Sequence, residues 1–316
     1  MNRHTGVFII GSPRSGTTLL QSIVASHSEY FSPPETSFFF RVIPLLGVRY
    51  SDPDCPVDED AIAIIRQDFE TMTGIEGFEL RAGLTAREVF ESLVNAFNDG
   101  SKPKWVEKTT NHAQTMLAIA RYYPEAKFLH IIRDPIDSVA SMVSIRPNSL
   151  GDFRLSYFPS IRGHAKLWNG CISSAFAYPR QENVLHLFYE DLIRKPEATI
   201  DGVCGFLGIG FEAGMMDLFH RSADALFSKQ SCPWQNNNLV PGFHGDSVHK
   251  WRGKIPMQDV WLIQKYTEYW ARYLGYYEFV TVPAYLKALC TAKDIGKWYL
   301  LRLEKIFRGI LLRVKT

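Results

Sequence analysis

The residues able to do chemistry gather at a few points in the chain. Gly11-Ser12-Pro13-Arg14-Ser15-Gly16-Thr17-Thr18 places two glycines around one arginine and follows them with two hydroxyls. That is the spacing of a phosphate-binding loop. Glycines let backbone N–H groups turn inward toward an anion, and a following helix points its positive N-terminus at the same spot. Arg14, Ser15, Gly16, Thr17 and Thr18 are therefore the candidate anion ligands. A nucleotide triphosphatase would carry Lys where this chain has Thr17, to reach the β- and γ-phosphates. The cation in the loop is Arg14, whose planar fork suits a phosphate or a sulfate group.

A second cluster lies at Lys127-Phe128-Leu129-His130-Ile131-Ile132-Arg133-Asp134-Pro135. An apolar strand ends in Arg133, and Ser141 falls two turns into the helix that follows. Parallel sheets bind ligands at the carboxyl ends of their strands, so charge and hydroxyl together suit a second phosphate. No cluster has metal-ligand spacing. The five cysteines (Cys55, Cys171, Cys204, Cys232, Cys290) form no CxxC pair and read as reduced thiols.

Pro-Arg-Ser-Gly-Thr-Thr-Leu on a first strand and helix resembles the 5′-phosphosulfate loop of sulfotransferases that use 3′-phosphoadenosine 5′-phosphosulfate (PAPS). Further segments follow in the family's order. Arg133 and Ser141 are similar to its 3′-phosphate motif. Tyr189-Glu190-Asp191-Leu192, then Pro196-Glu197 and Phe206-Leu207-Gly208, resembles a segment whose Tyr contacts adenine. Glu190 and Asp191 read as helix-start residues. Lys250-Trp251-Arg252-Gly253-Lys254 resembles the late cofactor segment of tyrosylprotein sulfotransferases, with Lys250 the best match and Arg252 the other basic candidate. The resemblance covers most of residues 6–275 and implies PAPS as cosubstrate, with no metal.

Sulfuryl transfer moves a neutral SO3 unit between oxygens, and charge builds on the bridging oxygen of the leaving phosphate. The protein must supply cations there, a base at the acceptor hydroxyl, and in-line geometry. The resemblance gives the cation role to Lys108 of Trp105-Val106-Glu107-Lys108, shared with Arg14. Cytosolic sulfotransferases carry a His base two residues after this Lys, where this chain has Thr110. Tyrosylprotein sulfotransferases use a Glu in a Glu-Thr pair, which Pro34-Glu35-Thr36 matches. Glu35 is thus the expected base, with Phe38, Phe39 and Phe40 raising its pKa by desolvation. His112 is the competing base.

These residues need elements to hold them. Strands are expected at Gly6–Ile10, Trp105–Lys108, Lys127–Ile132 and Val184–Phe188. Helices are expected at 17–27, 59–72, 86–98, 111–123, 136–145, 161–178, 196–207 and 257–273. The helix at 86–98 opens on a capping box, Thr85 to Glu88. Residues 29–57 read as irregular and 228–249 as a polar loop or lid. Strands alternating with helices mean an α/β fold: a single P-loop-like domain with a central parallel sheet flanked by helices, interrupted by helical and loop insertions. That domain is placed over residues 1–290, and a basic amphipathic helix over 291–316.

At 316 residues, with 46% apolar and 22% charged side chains, the chain is a globular one. Its 35 basic and 33 acidic residues leave a net +2, which excludes a strongly basic nucleic-acid binder. No stretch reaches the ~18–20 apolar residues of a membrane span, and a cytoplasmic enzyme is expected, any native anchor outside this sequence aside. Residues 293–316 carry seven basic and two acidic side chains, net +5. That helix is expected to dock on the core, on a second copy of the chain, or on an anionic membrane surface. The acceptor is a hydroxyl on a small molecule, a glycan or lipid, or a tyrosine. Its pocket is expected among 37–85, 146–165 and 209–249, with Phe38, Phe39, Phe40, Tyr50, Tyr157, Phe158 and Trp234. The alternatives are a P-loop phosphotransferase or nucleotide hydrolase, against which Thr17 counts, and a non-catalytic nucleotide-binding protein.

Overall fold

The structure, a computed structural model, describes residues 6–73, 75, 77–144, 160–217, 248–276 and 280–313. Tyr157, Phe158, Trp234 and residues 228–247 of the expected polar loop lie outside these. The elements run β1 (Val7–Gly11), α1 (Thr17–Ser26), β2 (Tyr30–Phe31), α2 (Ile43–Leu46), α3 (Glu59–Thr73), α4 (Ala86–Asn95), β3 (Lys104–Lys108), α5 (Met116–Tyr122), β4 (Lys127–Ile132), α6 (Pro135–Val143), α7 (Ile161–Phe176), β5 (Val184–Phe188), α8 (Tyr189–Arg194), α9 (Pro196–Leu207), α10 (Gly214–Asp217), α11 (Met257–Tyr273) and α12 (Ala284–Arg313). The chain divides into two compact units, residues 1–132 with 173–245 and residues 133–172 with 246–316.

The first unit holds a five-stranded sheet in the order β2-β3-β1-β4-β5, with every pair parallel. This is the α/β architecture expected. β1 is central, and the chain leaves it first to one side and later to the other. The loop after β1 therefore sits at the switch point where open parallel sheets bind ligands.

β1 is buried along its whole length, so both of its faces are apolar. Val7 and Ile9 pack with Leu20, Ile23 and Val24 of α1 and with Ile200 and Val203 of α9. Phe8 meets Phe90, Trp105, Tyr123, Phe128 and Phe39 at ring distances of 5.3–6.3 Å. Each such ring contributes about 1.5–3 kcal/mol by burial alone.

Helix ends follow the expected chemistry. Thr85 and Glu88 form the capping box of α4. Asp134 caps α6 by accepting from the Ile136 N–H at 2.6 Å, with Pro135 at the first helical position. Residues 29–57, expected to be irregular, contain β2, a π-helical turn at Phe38–Val42, α2 and a 3-10 turn at Val48–Ser51. These pieces are too short to show a period. The helix expected over 111–123 divides into a 3-10 stretch, Thr110–Thr115, and α5. In its polar first half the Thr115 hydroxyl donates to the His112 carbonyl at 3.4 Å, a local bond of the kind that competes with the α ladder.

The aromatic residues expected around the acceptor or beside Glu35 are largely core. Phe38 and Phe39 are each 1% exposed, and Phe39 lies 4.9 Å from Phe90 and 5.1 Å from Tyr122. Tyr50 is buried, and its carbonyl accepts from the Tyr122 hydroxyl. Full burial against other rings removes more apolar surface from water than lining an open pocket would. Phe40, at 38% exposure, is the one of the three that faces out.

The second unit is helical. The backbone of α11 carries bonds from its neighbours, with the Asn169 side chain donating to the Tyr266 carbonyl at 2.7 Å. Trp168 donates its indole N–H to the Arg133 carbonyl at 3.1 Å. α12 docks on α11: Lys265 donates to Thr291 at 3.1 Å, and the Lys287 ammonium lies 5.7 Å from the Trp261 ring centre. Tyr285, Leu289, Tyr299 and Leu300 stay exposed on α12. Among the described residues no helix is long and apolar enough to cross a membrane.

His164 of α7 is buried, and its pKa is pushed down from 6.5 to about 4, by burial first and by Lys297 second. The unfolded chain takes up a proton near pH 6.5 that the folded chain refuses. Stability is therefore full above pH 6.5 and falls as pH drops toward 4, by about 3 kcal/mol from this group. Buried His130 of β4, also held well below its ordinary value by burial, adds in the same direction. Denaturant titrations at pH 7 and pH 4.5 should show a smaller acid loss for His164→Gln than for the native chain. An equal loss would show that His164 is not the group responsible.

Candidate active site

The loop from Gly11 to Gly16 is built by close approaches. A Cβ on Gly11 would lie 2.5 Å from the Ile131 carbonyl oxygen, so only glycine lets β1 leave the sheet there. Gly16 has φ 97°, and a Cβ on it would overlap the Tyr189 ring. Arg14 itself sits at φ 68°, a conformation uncommon outside glycine. The turn is closed from within, since Ser15 donates its hydroxyl and its backbone N–H to the Ser12 carbonyl at 2.6 and 3.2 Å. α1 starts at Thr17 with no side-chain cap at Gly16, so its first N–H groups face the loop. Arg14, Ser15, Gly16, Thr17 and Thr18 thus form one turn at a helix N-terminus.

Lys108 ends β3, and its register partner on β1 is Ile9, two residues before the loop begins. Strand pairing therefore sets this cation at the loop's end of the sheet. Lys108 donates from Nζ to Glu35 Oε1. The lysine side chain is 2% exposed and the glutamate 19% exposed, so the pair is mostly shielded from water. Glu35 reaches this place because α1 holds the segment before it. Gln21 donates to Ser32 Oγ at 2.7 Å and to the Pro33 carbonyl at 3.0 Å, and Ser32 donates to the Val106 carbonyl at 2.6 Å.

His112 is fully buried. It bonds through Nδ1 to Glu107 Oε2 at 2.9 Å, and its ring packs against Phe39 at 5.6 Å and Phe8 at 6.1 Å. It works inside the protein rather than on a substrate. Glu190 and Asp191 lie in the first turn of α8, as helix-start residues.

In the second unit, Arg133 precedes α6 and lies 3.8 Å from the buried Asp137 carboxylate. Asp137 also accepts the Trp251 backbone N–H at 2.9 Å. Arg133 and the turn carrying Lys250, Trp251 and Arg252 are therefore held by one carboxylate. Arg252 stacks its guanidinium over Trp251 at 5.2 Å, and Lys250 is exposed. Ser141 lies on α6 and accepts from Ser144 Oγ through its carbonyl at 2.9 Å. Among the described residues no group of three or more His, Cys, Asp and Glu side chains is placed to hold a metal.

Sequence reasoning gave Glu107, Thr36 and Thr109 no role of their own. Glu107 is fully buried, and it accepts from Thr36 N–H at 3.2 Å, Thr36 Oγ1 at 2.9 Å and Thr109 Oγ1 at 2.6 Å. Burial alone would raise its pKa. The His112 charge and the bonds from His112, Thr109 and Thr36 outweigh that and hold the carboxyl below its ordinary value. The available signal was a Glu between the apolar pair Trp105-Val106 and Lys108 in a short strand.

Residues 6–213 match the family model described as the sulfotransferase family. Over 263 residues the chain is 25% identical to protein-tyrosine sulfotransferase 1 of Danio rerio, covering 79% of this chain and 66% of that protein. Over 293 residues it is 26% identical to protein-tyrosine sulfotransferase A of Caenorhabditis elegans, covering 89% and 70%. The chain thus spans only about two thirds of the length of such relatives, 66% for the fish protein and 64% for protein-tyrosine sulfotransferase 2 of Gallus gallus. The sulfotransferase domain from the curacin biosynthetic pathway shares the fold at TM-score 0.55 and 20% identity, over 89% of this chain and 100% of that one. The sulfotransferase domain of the Synechococcus PCC 7002 olefin synthase does so at 0.54 and 19%, over 88% and 95%.

Proposed function

The chain belongs to the sulfotransferase family, and we propose that it transfers a sulfuryl group from PAPS to a hydroxyl, with a phenolic hydroxyl such as a peptide tyrosine as the acceptor class. The observation that carries this is the Glu35–Lys108 pair at the loop's end of the sheet, two strand positions from the glycine turn that Arg14 occupies. A base and a cation side by side are what this transfer asks of a protein. The tyrosine preference draws on the relatives, which are protein-tyrosine sulfotransferases, and on the Glu35-Thr36 pair.

Glu35 takes the proton of the acceptor hydroxyl as its oxygen bonds to sulfur. The bond between sulfur and the bridging oxygen breaks, and Lys108, Arg14 and the loop N–H groups stabilise the charge left on the 5′-phosphate. Ser15, Thr17 and Thr18 contribute donors to that phosphate. Arg133, Ser141 and Lys250 are assigned to the 3′-phosphate, and Tyr189, whose ring closes on Gly16, to the adenine side. Thr17 in place of Lys counts against a phosphotransferase. A membrane surface or a second copy of the chain at the exposed residues of α12 belongs to the same proposal, and would appear as vesicle co-sedimentation or a doubled mass.

Thermal stability with 3′,5′-adenosine bisphosphate, beside ADP with Mg²⁺, tests the cosubstrate. At ~100 times its dissociation constant the bisphosphate should add about 2.7 kcal/mol. Stabilisation by ADP with Mg²⁺ and none by the bisphosphate would transfer the site to a phosphotransferase.

A further inference from the structure

Glu35 and Thr36 are consecutive, and so are Lys108 and Glu107. The four meet as two adjacent pairs, Glu35 with Lys108 and Thr36 with Glu107. Neighbouring residues of a strand point to opposite faces. The Glu35-Thr36 segment therefore clasps the end of β3 from both sides, and a slip of one residue would carry Glu35 away from Lys108.

Glu107 is the fixed point of this clasp. Its two oxygens take four donors: the Thr36 N–H, the Thr36 hydroxyl, the Thr109 hydroxyl and His112 Nδ1. Oε1 takes three of them and Oε2 the fourth, so neither oxygen of this buried carboxylate is left without a partner. The order extends outward. Thr109 Oγ1 accepts the Ser37 N–H at 3.1 Å, and Thr36 Oγ1 accepts the Phe38 N–H at 3.3 Å. Ser37 sits at φ 51°, a conformation that side chains rarely take without support. His112 braces the far oxygen and packs against Phe39, which leads on from the turn. An apolar residue at 107 would fill the space and hold none of these groups. The bonds of this network run among residues 36–38, 107, 109 and 112.

We propose that Glu107 is a positioning residue for sulfuryl transfer: through Thr36, Thr109 and His112 it fixes the turn that sets Glu35 on Lys108. The proposal rests on the reading of Glu35 as the base. Glu107→Gln keeps the shape, but its amide NH2 then meets Thr hydroxyls or His112 Nδ1. In the second orientation His112 Nδ1 would have to accept, with the proton on Nε2, which is buried without a partner. Glu107→Asp keeps the charge and shortens the reach.

The test uses the full chain, PAPS and a tyrosine-containing acidic peptide. Displacement of a reacting group by about 1 Å costs on the order of 10²-fold in rate. Glu107→Gln should lose about that in kcat, with bisphosphate affinity within about 3-fold of native, and Glu107→Asp should fall between them. In a Glu35→Gln background the same change should cost under about 3-fold more, because the base it positions is already gone. A loss that multiplies fully in that background would make Glu107 merely structural and overturn the proposal, as would native kcat in Glu107→Gln. Hydrogen exchange supplies a readout that needs no acceptor: amides of residues 36–39 should exchange at least 10-fold faster in Glu107→Gln while α1 is unchanged. Unchanged exchange overturns the proposal. If the clasp loosens as expected but the native chain transfers no sulfuryl group and binds no bisphosphate, the function assigned to Glu35 fails instead, and the positioning role for that reaction falls with it.

Discussion

Glu35→Gln is expected to lower kcat by about 10²–10⁴-fold, the range of a lost general base. The substitution is close to isosteric, and its carbonyl oxygen can still accept from Lys108 Nζ, as Glu35 Oε1 does. What it removes is the proposed proton acceptor. Bisphosphate affinity should therefore stay within about 3-fold of native, since Arg14, the loop and α1 are untouched. The contrast between kcat and affinity separates a base from a ligand. Lys108 is 2% exposed and loses a charged partner, so stability should fall by about 1–3 kcal/mol as well. Turnover is thus to be measured well below the variant's Tm. Near-native turnover would remove Glu35 from the mechanism, and with His112 fully buried the acceptor would have to be activated by some other group.

How much of this was legible in the sequence depends on the range of the interaction. β1 is an unbroken buried apolar run, and β4 and β5 read as apolar runs each interrupted by one histidine, the three bounded by Gly11, Arg133-Asp134-Pro135 and the polar start of α8. α4, α6 and α9 announce themselves by a capping box and by prolines at their first turns. These are local signals, complete within a dozen residues. β2 is two residues long and exists because β3 lies beside it, so no window could show it. Phe38 and Phe39 show the same limit from another side. Their type says apolar surroundings, and only the fold decides between a pocket wall and a ring cluster with Phe8 and Phe90.

The site divides in the same way. The glycine loop is a contiguous motif whose chemistry follows from its own residues. The clasp around Glu107 joins positions 71 apart. In sequence, a Glu next to a Lys reads as a solvated pair, because charged residues are rarely buried. Its burial becomes possible only when Thr36, Thr109 and His112 arrive with their donors. The Asp137 carboxylate, shared by Arg133 and the Trp251 backbone across 114 positions, escaped for the same reason.

Lys108→Met should also be strongly damaging and should differ in kind. Methionine matches the lysine stem in length, so the buried volume at the end of β3 is kept while the charge is lost. Removing one preorganised donor from a developing oxyanion costs about 10²–10³-fold in kcat. If Lys108 serves the bridging oxygen, it faces the same 5′-phosphate that the bisphosphate product retains. Bisphosphate binding should then weaken by about 10-fold or more, which is not expected for Glu35→Gln. Arginine should not rescue it, because its planar fork does not fit a site shaped for a point charge and closed to solvent. The double variant Glu35→Gln/Lys108→Met should lose far less than the product of the two single losses, because the partners of one contact act together. Fully multiplicative losses, or a Lys108→Met variant that binds the bisphosphate as well as the native chain, would place Lys108 outside the phosphate's reach. Glu35 would then keep its base role with the lysine as a structural counter-ion, and stabilisation of the leaving phosphate would rest on Arg14 and the N-terminus of α1.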